Sequence, residues 1–149
     1  MSQTYFGSTL RAGSGTLTDS VDGGYVVMTQ TTTVTTVSAG TAVSSTITLP
    51  ASSQIIGFYL DGVVDAVAGA GTATTAPVTI GTAAAGTQYL SATDAIAGGR
   101  IALAFTTAQV AAMADIGTNQ SVVVTVDPNG TILTTQGVYR VTVVYAQKV

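Results

Sequence analysis

Gly137-Val-Tyr-Arg-Val-Thr-Val-Val-Tyr-Ala146 decides the fold class. Tyr139, Val141, Val143 and Tyr145 alternate with Arg140, Thr142 and Val144, so a period of two sends one set to a buried face and the other outward. Such a strand needs partners, and the rest of the chain supplies them. From Tyr25 to Val37 the sequence runs Tyr-Val-Val-Met-Thr-Gln-Thr-Thr-Thr-Val-Thr-Thr-Val, nearly all β-branched or aromatic, which predicts a strand or two strands with a bulge. Its second half is Thr on both faces, so its own pattern fixes the pairing register weakly.

Shorter strand candidates follow between turn residues. Val43 to Leu49 places Val43, Ser45, Ile47 and Leu49 on one face and stops at Pro50. Ile55 to Leu60 alternates Ile56, Phe58 and Leu60 against Gly57 and Tyr59, and Asp61-Gly62 then predicts a turn. Val78 to Ile80, Arg100 to Phe105 and Ser121 to Val126 complete the set, and Asp127-Pro128-Asn129-Gly130 is a strong turn signal. One segment breaks the pattern. Thr107 to Asp115 is Ala-rich, has an N-cap in Thr106 or Thr107, and sets Val110 and Met113 at i, i+3 before Gly117, which predicts a short helix on a crossover connection. The Ala-Gly-Thr run from Ala66 to Ala76 is expected to be a loop.

About eight short strands and one small helix predict an all-β fold, a β-sandwich of jelly-roll type or a small barrel. An outer-membrane barrel would want aromatic girdles and a signal peptide, and neither pattern is present. The sandwich is expected over 25–149. Met1 to Gly24, rich in Gly, Ser and Thr with isolated apolar residues, reads either as an extended arm that orders on a partner or as an edge strand followed by a loop.

Composition narrows function further. Asp, Glu, Lys and Arg make up 7% of the 149 residues, against roughly a quarter in ordinary soluble domains. His, Cys, Trp and Glu are absent, which removes most of the catalytic toolkit. A surface of Thr, Ser, Gly and Ala suits packing against neighbours, so the chain reads as a structural assembly protein. Mean hydropathy is +0.51, but the apolar residues are dispersed and no run approaches the roughly 20 residues of a spanning helix. Met1 to Leu10 has neither the basic nor the apolar region of a secretory signal. Without cysteines, redox logic leaves the compartment open. The net charge of −3 spreads seven Asp singly against Arg11, Arg100, Arg140 and Lys148, and four dispersed cations make no face for nucleic acid.

Few constellations suggest chemistry. Asp61-Gly-Val-Val-Asp65 offers two carboxylates to a Ca²⁺, although an Asp-Gly hairpin turn explains it more simply, and Asp19-Ser-Val-Asp22 has the same ambiguity. No two Asp stand at a spacing that predicts a glycosidase pair, and no general base accompanies the many Ser and Thr. No enzyme activity, metal or cofactor is expected. Tyr139 and Tyr145 fall in phase with core valines, which assigns them to packing rather than to a sugar platform. Two matches to the glycosylation sequon, at Asn119 and Asn129, lack a secretion signal to go with them.

From Thr46 to Val149 the chain resembles the small β-rich proteins that decorate tailed-phage capsids, known as cement or head decoration proteins. The resemblance is carried by Ile47-Thr-Leu-Pro-Ala-Ser-Ser-Gln-Ile-Ile, by Val78-Thr-Ile-Gly-Thr with Gln88-Tyr-Leu-Ser-Ala-Thr-Asp94, and by Gly137-Val-Tyr-Arg-Val-Thr-Val-Val-Tyr145. It implies a homotrimer on the capsid exterior that clamps neighbouring major capsid subunits, with no membrane or nucleic-acid partner. It also implies that an N-terminal arm adds a strand to the capsid, which makes Tyr5, Phe6, Leu10 and Arg11 the expected capsid-binding residues. The rival readings are a tail-tube or fibre component, whose Thr-rich strand would pair between subunits, and a monomeric carbohydrate-binding module. The module would gather several of Tyr5, Tyr25, Tyr59 and Tyr89 on one face.

Overall fold

The computed structural model describes residues 25–68, 75–96, 98–114, 117–129 and 132–148. The expected arm, with Tyr5, Phe6, Leu10 and Arg11, lies outside the described residues, as do Asp19 and Asp22. In chain order the elements are β1 (Tyr25–Thr35), β2 (Val43–Leu49), β3 (Ser53–Val64), β4 (Val67–Ala68), β5 (Pro77–Gly81), β6 (Leu90–Asp94), β7 (Gly99–Ile101), α1 (Thr107–Ala112), β8 (Gln120–Val126), β9 (Leu133–Thr135) and β10 (Val138–Lys148).

Two four-stranded antiparallel sheets carry the fold. Sheet A has the order β1-β10-β3-β7 and sheet B the order β2-β8-β5-β6, while β4 and β9 form a small separate pair. The alternation of the closing strand governs the arrangement: Tyr139, Val141, Val143 and Tyr145 are all buried, and they meet Leu49, Ile80, Leu90, Val122, Val124 and Val126 from the facing sheet. An all-β sandwich with one short helix is therefore the fold, as the strand periodicity predicts. The edges β1 and β2 approach each other along one side of the sandwich. There the Thr32 and Ser45 hydroxyls lie 2.6 Å apart, and Gln30 Nε2 donates to Thr48 O at 3.4 Å.

The expected strands beginning at Tyr25, Val43, Val78, Ser121 and Gly137 are present within a few residues of their predicted ends. Three expectations are corrected. Asp61-Gly62 is no turn; both residues lie inside β3, where Asp61 pairs with Arg140 on one side and with Arg100 on the other. Gly62 is needed there because a Cβ on it would stand 2.5 Å from the Gly98 Cα, a close backbone approach that a strand glycine permits. The phase of β3 is also different. Val144 pairs with Gly57 but Tyr145 with Ile55, so a bulge at Ile56 turns that residue outward and buries Ile55 in step with Phe58 and Leu60. Finally, the strand expected over Arg100 to Phe105 ends at Ile101, and Leu103 and Phe105 pack against the core on the way to α1.

The helix starts where expected but ends earlier, with Thr106 as N-cap and Met113 as C-cap. Thr106 and Gln109 form a reciprocal capping box. Val110 and Met113 do not share a buried face: Met113 is buried together with Gln109, and Val110 is exposed. Within the stretch expected to be a loop, Val67–Ala68 forms β4 against β9.

Candidate interaction face

The outward side of sheet A differs from the rest of the described surface. Its β1 residues Tyr25, Val27, Thr29, Thr31, Thr33 and Thr35 are all exposed, because the phase that buries Val34 turns the odd-numbered set away from the core. Ile56 and Tyr59 from β3 join them, at 57% and 49% exposure. Sheet B has no counterpart. None of its strands carries an exposed large apolar side chain, and its outward β2 positions are Ser44, Thr46 and Thr48.

A charged row crosses this apolar and Thr-rich face. Register places Thr33 beside Arg140, Arg140 beside Asp61, and Asp61 beside Arg100, so one line runs across all four strands. The Arg100 guanidinium grips Asp61 as a fork, Nε donating to Oδ1 and Nη2 to Oδ2 at 3.3 Å. Arg140 Nη2 stands 3.6 Å from Asp61 Oδ2. Arg100 also lies over the Tyr59 ring, with its Cζ 4.7 Å from the ring centre, a cation–π contact. The Arg100 hydrogen bond, joined by the charges of both arginines and opposed by burial, holds the Asp61 carboxyl below its ordinary value. Two guanidiniums share one carboxylate. The arginine side chains remain 60% and 52% exposed, so donors are left over for a second acidic group.

Sequence reasoning singled out Asp61 and Asp65 as a possible Ca²⁺ pair, and the structure does not join them. Asp61 belongs to the arginine row, whereas Asp65 lies in the turn beyond β3 beside Gly98. Among the described residues no group of three or more potential metal ligands comes together. The tyrosines of a sugar platform are likewise separated. Tyr89 is buried against Phe58, and Tyr25 and Tyr59 lie six register rows apart, roughly 20 Å along the strands. Tyr139 and Tyr145 are core residues, as their phase predicts, and burial raises the pKa of the Tyr139 hydroxyl.

A shallow depression of about 410 Å³ lies beside α1, lined by Thr87, Ser91, Thr106 and Gln109 together with Ala108 and Ala112. The Gln109 amide is already engaged, donating to Thr87 O at 3.0 Å and to Ser91 Oγ at 2.9 Å while accepting from Thr106 N at 2.9 Å. It is a structural link between α1 and β6. The arginine row is what sequence reasoning missed. Its members are 39 and 79 positions apart, and only the pairing of β3 with both β7 and β10 makes them neighbours.

No protein-family model matches the chain, and no curated protein matches it either. The fold does have a counterpart. A chain of the Cyanophage Pam1 capsid asymmetric unit superposes with a TM-score of 0.53 at 18% identity, covering 96% of this chain and 97% of that one. The correspondence is one of fold and runs nearly the full length of both chains. No helix among the described residues is long and apolar enough to cross a membrane.

Proposed function

We propose that this chain is a non-enzymatic virion structural protein that binds the outside of a phage capsid and cements neighbouring major capsid subunits as a homotrimer. The observation that carries the reading is the nearly full-length fold correspondence with a chain of a phage capsid asymmetric unit. Three features support it. With β4 and β9 set aside, the eight remaining strands are distributed 1-8-3-6 and 2-7-4-5 between the sheets, an interleaving of Greek keys that we read as a jelly roll. The surface is poor in charge, which lowers the desolvation cost of subunit contacts. One sheet face exposes apolar residues around a row of arginines.

In this reading 25–149 is the sandwich domain and 1–24 the capsid-directed arm, in which Tyr5, Phe6, Leu10 and Arg11 make the contacts. The test uses heads of the phage that encodes the chain. Heads lacking it should lose heat resistance and regain it when the purified protein is added back. Equal resistance with and without the protein would refute the cementing role.

A further inference from the structure

The surface charge is divided in a way that bears on how copies meet. The row of Arg140, Asp61 and Arg100 holds two of the four cations and one of the seven carboxylates, so it carries +1 and the remainder of the chain −4. We propose that the outward face of sheet A is the contact through which copies of this chain join head to tail, each face receiving an acidic surface of the next copy rather than the same face. The inference rests on the trimeric reading above and gives that trimer its surface.

Three observations fix the occupant. The face exposes Val27, Ile56 and Tyr59 and sheet B exposes no large apolar side chain, so of the two sheet faces only that of sheet A is apolar; exposed Val37, Val67, Val110 and Ile132 lie on loops, β4 and α1. Both arginines keep free donors beside a carboxylate they already share, so a partner supplying another carboxylate completes the row. Charge then decides the orientation. Two copies meeting face to face would set four arginines against two aspartates, whereas the described residues outside the row carry Asp65, Asp94 and Asp127 against Lys148, a net −2. Asp65, in the loop after β3, and Asp94, at the end of β6, are exposed carboxylates of that part.

A contact between two different patches repeats from copy to copy until rotation closes it, which yields a ring such as a trimer and not a two-fold dimer. The area is adequate. β1, β10 and β3 run 11, 11 and 12 residues and β7 three, which at roughly 3.3 Å rise and 4.8 Å spacing makes about 600 Å² of face, against the ~800 Å² per partner of a standard interface.

Light scattering on the purified chain reads the outcome directly. The unaltered chain should have the trimer mass, and the double variant Arg100→Asp with Arg140→Asp should fall threefold to the monomer mass while keeping its β-sheet circular dichroism. Arg140→Asp alone retains the Arg100–Asp61 fork and serves if the double variant does not fold; it should show the same fall. Because the chain has no cysteine, Thr33→Cys places a single thiol on the row for a benzophenone probe. Crosslinks should map to peptides outside β1, β3, β7 and β10. Crosslinks onto those same strands, or variants that remain trimeric, would overturn the head-to-tail face while leaving the trimer standing. A monomeric unaltered chain would overturn it as well, and restored heat resistance of heads by that monomer would leave the capsid reading intact.

Discussion

Asp61 is the residue on which the charged row turns, and its contribution depends on pH. Its carboxyl titrates below the ordinary value in the folded protein because Arg100 and Arg140 favour the charged form. A depressed folded-state pKa stabilises above the unfolded carboxylate range and is lost as pH falls through the folded value. Thermal melts of the unaltered chain and Asp61→Asn should therefore differ at neutral pH and converge as pH falls through and below the ordinary carboxylate range. A constant difference across that range would assign the role of Asp61 to packing. A second residue, Thr36, is buried where β1 hands over to its loop, and its Oγ1 accepts from Gly137 N–H at 2.8 Å while its own N–H donates to Gly137 O at 2.9 Å. Thr36→Val keeps the shape but orphans a buried donor, so it should cost about 1–3 kcal/mol, whereas Thr36→Ser should cost far less. Chemical denaturation of the two variants checks this.

At the scale of elements, β3 shows what a pattern of residues conveys and what it withholds. Alternation identified the strand, yet the bulges at Ile56 and Val63 are invisible to a period of two, because each adds a residue that only the pairing with β10 reveals. The Asp-Gly dipeptide misled for a related reason. It marks turns by its freedom of conformation, but Gly62 is there to admit the Gly98 backbone. Gly62→Ala should then lower stability by about 1–3 kcal/mol through overpacking, read as a fall in melting temperature; an unchanged melting temperature would contradict the close approach. The short β4 and β9 have too few residues for any period to show. In α1 an N-cap at Thr106 or Thr107 was legible, but the capping-box role and burial of Gln109 were not, since its partners Thr87 and Ser91 lie in the loop before β6 and on β6.

At the scale of the whole molecule, the described residues form a sandwich whose two outer faces have different characters, and this follows from composition distributed by topology. Few charges and many Thr are what the proposed assembly role starts from, and the alternation of β10 alone was enough to place its tyrosines in the core. Where the remaining charges converge was not legible, because Asp61, Arg100 and Arg140 become neighbours only through sheet order. The proposed role on the capsid exterior is tested most directly by a cryo-electron microscopy reconstruction of the virion whose genome encodes this chain. The expected map shows the two-sheet sandwich in threefold clusters on the outer surface, bridging major capsid subunits. A virion without that density, or with it in the tail or inside the shell, would contradict the proposal.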